Sequence, residues 1–153
     1  MICCHHHIKR VFLYVIKEVK MNQFSNKEIN ETLRILFACI DRCQKSQAKL
    51  LKQTPQYSLL ENRIYALNIA KAILNDDISS YQLDIEELQK AIIPITSIID
   101  KCDKAMIKLA NRKSYYIRFE NMYKAMMIAR ASIENEVNTR LRSNRKFEEK
   151  GLI

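Results

Sequence analysis

The chain has 153 residues, 26 Lys and Arg against 17 Asp and Glu, a net charge of +9, and 48% apolar residues with one Gly and two Pro. That length and apolar share support one domain with a buried core and exclude disordered and collagen-like classes. No stretch approaches the run of about 18 apolar residues that a membrane-spanning helix needs.

Residues 1–20 differ from the rest. The apolar run Val11-Phe12-Leu13-Tyr14-Val15-Ile16 is short for a secretory signal, and no small-residue cleavage site follows it. Cys3-Cys4-His5-His6-His7 has metal-ligand composition, but adjacent residues do not easily ligate one ion. Lys17-Glu18-Val19-Lys20-Met21 can be encoded by a purine-rich ribosome-binding sequence followed by an ATG. The expectation is therefore a bacterial source, a native start at Met21, and residues 1–20 as a non-native leader. A genuine N-terminal extension is the competing reading. The expected compartment is the cytoplasm, where disulfides are rare.

From residue 25 onward the chain repeats itself. Residues 40–74 align without a gap to residues 99–133 at an offset of 59, and thirteen of those 35 positions are identical. Such a period, nearly free of Gly and Pro, predicts a duplicated helical unit. The offset extends upstream, where Ser25-Asn26-Lys27-Glu28 aligns with Asp84-Ile85-Glu86-Glu87. Each is a capping-box pattern. A heptad follows each cap, with Ile29, Leu33, Leu36, Ile40, Cys43, Gln47 and Leu50 in unit one. Unit two has Leu88, Ile92, Ile95, Ile99, Cys102, Met106 and Leu109. The 4–3 spacing predicts a narrow apolar seam on a helix of about seven turns.

Each heptad ends at a break. In unit one, Thr54 is the predicted N-cap and Pro55 the first residue of a helix running to about Asn75. Its apolar face is Leu60, Ile64, Leu67 and Leu74, broadened by Ala66, Ala70 and Ile73. In unit two, Asn111 or Ser114 is the predicted cap, and the face is Phe119, Tyr123, Met126 and Ile133 with Ala125 and Ala129. Asn75 to Ser80 reads as the linker between units. Pro94 replaces Ile35 inside its helix and is expected to kink it or split off its first turns.

The predicted class is all-α: two tandem αα-hairpins, at residues 25–77 and 84–136, forming a four-helix bundle-like domain over 21–142. Hairpins interleaved between two chains are the alternative. Residues 143–153 form a basic tail expected to fray or to fold on a partner. Residues 1–20 carry four cations and one anion, and residues 140–150 five and two, which leaves +3 for the body between them. The basic balance belongs mainly to the ends.

Candidate chemistry is sparse. Cys39, Cys43 and Cys102 offer three thiolates for zinc, but Cys43 and Cys102 occupy seam positions, where Cys acts as a small hydrophobe. All three His lie at 5–7 and the sole glycine is Gly151, so the body offers neither a His-dependent site nor a Gly-rich phosphate loop. No enzyme, metal or cofactor is expected. Two patterns recur in both units. Tyr57, Glu61 and Asn62 match Tyr116, Glu120 and Asn121, read either as paired ligand pockets or as structural polar contacts. Arg42, Lys45, Lys49 and Lys52 match Lys101, Lys104 and Lys108, with Arg112 nearby. This basic ridge faces away from the seam and is either a phosphate or partner contact or a solvated face. The expected function is a protein-interaction module, with self-association as a homodimer one form of it and no membrane partner. The alternative is a nucleic-acid-associated accessory protein.

Overall fold

The computed structural model describes residues 24–151 as four α-helices and one 3-10 turn, with no strand among them. The helices are α1 (Asn26–Gln47), α2 (Pro55–Leu74), α3 (Ile85–Lys108) and α4 (Lys113–Glu149), with the 3-10 turn at Ile78–Ser80. The expected leader, residues 1–20, and its Cys-His cluster lie outside the described residues.

Local chemistry sets the helix starts. Both capping boxes form: Ser25 Oγ accepts from Glu28 N at 3.2 Å, and Ser25 N donates to Glu28 Oε2 at 2.8 Å. Asp84 Oδ1 accepts from Glu87 N at 2.7 Å, and Asp84 N donates to Glu87 Oε2 at 2.9 Å. Each box satisfies backbone donors that a helix start leaves without partners. The Ser25 backbone N–H holds the Glu28 carboxyl below its ordinary range. Thr54 Oγ1 accepts from Tyr57 N at 3.2 Å, with Pro55 at the first position of α2. The α4 start differs from expectation. Its cap position is Arg112, with no side-chain cap bond, and Ser114 lies inside the helix. Lys113 begins the helix too soon after α3 for either Asn111 or Ser114 to occupy the cap.

At the end of α2, Asp76 adopts φ 55°, its N–H donates to Ile73 O at 3.1 Å, and Asp77 N donates to Ala72 O at 2.8 Å. This paired closure satisfies carbonyls that the helix end leaves open. Pro94 does not split α3, which runs unbroken through it. Thr96 Oγ1 donates to Ile92 O at 2.9 Å one half-turn away.

The buried stripes are wider than the predicted seams. In α1 the enclosed residues are Thr32, Ile35, Leu36, Cys39 and Ile40, while Ile29, Leu33, Cys43 and Gln47 are half-buried. In α3, Ala91 and Ile98 join Leu88, Ile95, Ile99, Cys102 and Met106. Leu50 lies beyond the end of α1 and Leu109 is the C-cap of α3, so both heptads outrun their helices. The reason is the number of neighbours. A two-residue seam serves one partner helix, whereas α1 packs on α2 and α4, and α3 on α2 and α4.

All four helices share one core. Short connections join packed neighbours, so successive helices run antiparallel and both interhelical turns, 48–54 and 109–112, lie at one end. The linker 75–84 lies at the other. α2 and α4 also touch across the middle, while α1 and α3 share no extended contact. The side chains explain this: Ala66, Ala70, Ala125 and Ala129 are all enclosed, and small residues let two helix backbones approach.

α4 is the longest element at 37 residues. Arg140 fastens it to the start of α3, with Nε on Glu136 Oε1 at 2.7 Å and Nη1 donating to Leu83 O. Beyond Arg140 every residue to Lys150 is exposed. The basic segment 143–149 is thus a projecting helix end.

Because each cap satisfies donors on a different helix, Ser25→Ala and Asp84→Ala should each lower unfolding free energy by about 1 kcal/mol. Urea denaturation of the single and double variants should show the two losses adding.

Candidate functional site

The eight ridge cations are all exposed, but they do not form two continuous helix faces. Arg42 and Lys45 lie on α1, whereas Lys49 and Lys52 fall in the turn after it. Lys101, Lys104 and Lys108 lie on α3, and Arg112 caps α4. Two members are engaged locally. Arg42 folds back on its own helix, donating to Ala38 O and to Cys39 Sγ, each at 3.2 Å. Lys45 pairs with Asp41 at 2.8 Å. That pair is solvent-exposed and contributes little stability. Because α1 and α3 stand across the bundle from one another, the helical parts of the ridges are separated. Lys49, Lys52, Lys108 and Arg112 instead meet at the turn end.

The duplicated polar residues sit on α2 and α4. Tyr57 and Tyr116 are half-buried near the helix starts, and Gln47 Nε2 donates to Tyr57 O at 3.5 Å. Glu61 is exposed, and Glu120 pairs with Lys124 at 3.3 Å. Asn62 and Asn121 are both exposed. Asn121 lines a groove of about 520 Å³ between α1 and α4, to which Tyr57, Glu61 and Asn62 contribute nothing. Arg34, Arg42 and Arg118 border this groove, with Ile35, Ala38 and Met122 among its apolar lining. Arg34 is held by Glu31 at 2.6 Å. Arg34 and Arg118 are groove residues outside the sequence-predicted set. They have no matching cations in the other unit, Ile93 and Leu59 standing there, so a search for duplicated residues passes over them.

The turn end has a further property. Residues 44–60 and 104–118 contain eight cations and no Asp or Glu. Lys113 and Arg118 join six of the ridge residues there, and all eight are exposed. The same segments carry Leu51, Leu59, Ile107, Tyr115 and Ile117 with their side chains exposed. The absence of acids was legible in sequence; that two segments about 60 residues apart form one end was not. Asp76, Asp77, Asp84, Glu86 and Glu87 flank the linker at the opposite end, beside the basic end of α4 that starts at Arg140.

The three thiols occupy the interior side of α1 and α3. Cys39 and Cys102 are buried and Cys43 is half-buried, and all three are free. Among the described residues no group of three His, Cys, Asp or Glu is arranged to hold a metal. Burial pushes the Cys43 thiol up, against the opposing pull of the Arg63 guanidinium. Arg63 Nε is itself buried without an acceptor. Burial also pushes Cys102 from 9.0 up to about 11. Both thiols are therefore protonated at neutral pH, which disfavours nucleophilic roles. Between pH 9.0 and about 11, an unfolded chain releases the Cys102 proton while the folded chain retains it. Folding stability should fall as pH rises through that window, with this thiol contributing about 2 to 3 kcal/mol at most. Urea unfolding across the window should show a shallower decline for Cys102→Ala than for the unaltered chain, and parallel declines would refute the assignment. Compared with protein families, curated proteins and solved structures, the chain matches none.

Proposed function

We propose that this protein is a cytoplasmic, non-enzymatic interaction module built from two tandem αα-hairpins at an offset of 59, and that it associates with itself through the projecting end of α4. Matching burial supports the duplication: Leu36 with Ile95, Ile40 with Ile99, Ala66 with Ala125 and Ala70 with Ala129 are all enclosed. Free thiols fit a reducing compartment. Among the described residues there is no His, and the half-buried Cys43 and buried Cys102 thiols are held protonated, which supports the non-enzymatic reading.

The observation that carries the interaction reading is the fate of the α4 apolar stripe. Ile133 and Val137 are buried, but the stripe continues to Leu141 and Phe147, which are exposed. Leu141 and Phe147 lie six residues apart, about 120° around the helix, with Asn144 between them, and all three are exposed. A helix end of this length holds its shape poorly by propensity alone, and packing against a second copy would cover it. Light scattering should find a dimer for the unaltered chain and a monomer for Leu141→Glu/Phe147→Glu, with unchanged helical content. A monomer before substitution overturns this reading.

The alternative reading, a nucleic-acid-associated accessory protein, draws support from the exposure of all eight ridge cations. Phosphate contacts through such residues carry no base information and weaken steeply with salt. Mixed-sequence DNA and RNA binding across a salt series, beside Lys45→Glu/Lys49→Glu/Lys104→Glu/Lys108→Glu, tests it. Tight low-salt binding lost in the variant supports this reading, and binding indifferent to the four changes excludes the ridges.

A further inference from the structure

We infer that the turn end of the bundle docks on an anionic lipid surface, with Leu51, Ile107, Tyr115 and Ile117 entering the headgroup region and the surrounding lysines and arginines meeting lipid phosphates and carboxylates. This surface is distinct from the projecting end of α4 and does not rest on self-association. No described helix is long and apolar enough to cross a membrane. Docking at the surface requires no such helix.

Two observations converge. The first is charge. The two segments that form this end hold eight of the chain's cations and none of its carboxylates. A mostly positive field, in which Lys45 is paired with Asp41 just outside the two segments, is complementary to an anionic leaflet, where each Lys or Arg near the surface adds attraction. The second is exposed apolar surface in the same place. Leu51 is 79% exposed, Ile107 62% and Tyr115 50%, although each is large enough to merit burial. Leu51 lies in the 48–54 turn, while Ile107 and Tyr115 flank the 109–112 turn.

The form of the patch selects lipid over other polyanions. Nucleic acid takes up cations but gains little from exposed aliphatic tips such as Leu51 and Ile107. A folded protein partner needs close shape complementarity, and the apolar tips here are divided between two turns. A bilayer interface accepts dispersed tips at any spacing. Long Lys and Arg side chains can place their charges at headgroup level while their stems lie against apolar surface. Tyr115 presents a ring and a hydroxyl, the combination that suits the interface.

The test is co-sedimentation of the full chain with phosphatidylcholine vesicles, with and without phosphatidylserine, at low and high salt. Two variants accompany it: Leu51→Ser/Ile107→Ser/Ile117→Ser, which leaves charge unchanged, and Lys49→Glu/Lys52→Glu/Lys108→Glu/Lys113→Glu. The expected result is binding only to phosphatidylserine vesicles, weakened by salt, and reduced about tenfold or more by each variant. Thermal melting checks that the variants fold, and Leu51→Ser alone substitutes if the triple change does not. No binding, equal binding to both vesicles, or binding retained in both variants overturns the inference. So does loss in the glutamate variant only, together with equal capture of mixed-sequence RNA, because the patch would then be a general polyanion contact.

Discussion

The contact on which the structure depends is the close approach of α2 and α4 across the core. Ala66 and Ala70 on one helix and Ala125 and Ala129 on the other are enclosed, so these two backbones pass near each other. Larger residues would force the diagonal open. With that diagonal short, α1 and α3 are left at the outer corners, each packed on two helices and on neither side by the other. The wide buried stripes of α1 and α3, the separation of the helical cations and the assembly of both turns at one end follow from this arrangement.

The features legible in sequence were those decided locally. Ser25 with Glu28, Asp84 with Glu87, and Thr54 with Pro55 act within one turn of chain, and each forms as the spacing implies. The apolar faces of α2 and α4 were legible for the same reason. Stripe width was not, because it depends on how many helices pack against each face. Thr32 and Ala91, outside the heptads, are buried as well. Of the two outcomes expected at Pro94, the split does not occur: the capped segment ahead of it and the apolar residues Ala91, Ile95 and Ile98 on the core side keep α3 continuous. The segment after Arg142 was under-read as a tail, since a helix already packed along Ile133 and Val137 can extend past its last contact without a new nucleus.

The candidate sites divide along the same line. Residue types and exposure of the basic positions could be read from spacing. Their grouping could not. Lys49 and Lys52 follow the end of α1, and Lys108 and Arg112 bracket a different turn, yet antiparallel packing brings the two turns to one end. Leu51, Ile107 and Tyr115 looked like ordinary apolar residues until the fold left them outside the core. Arg63 had no signal at all: its buried Nε beside Cys43 depends on the α1–α2 packing.

The contact of α1 with α4 also orders the life of the chain during synthesis. α1 and α2 can pair as soon as both have left the ribosome, and the second pair can form in the same way. Ile35 and Ala38 line one side of the groove between α1 and α4, and Met122 and Ile117, which are translated about 80 residues later, line the other. Until α4 emerges, the buried residues Ile35 and Cys39 lack one of the two helices that pack on α1, and the nascent chain passes through a stage in which α1 is open to other molecules.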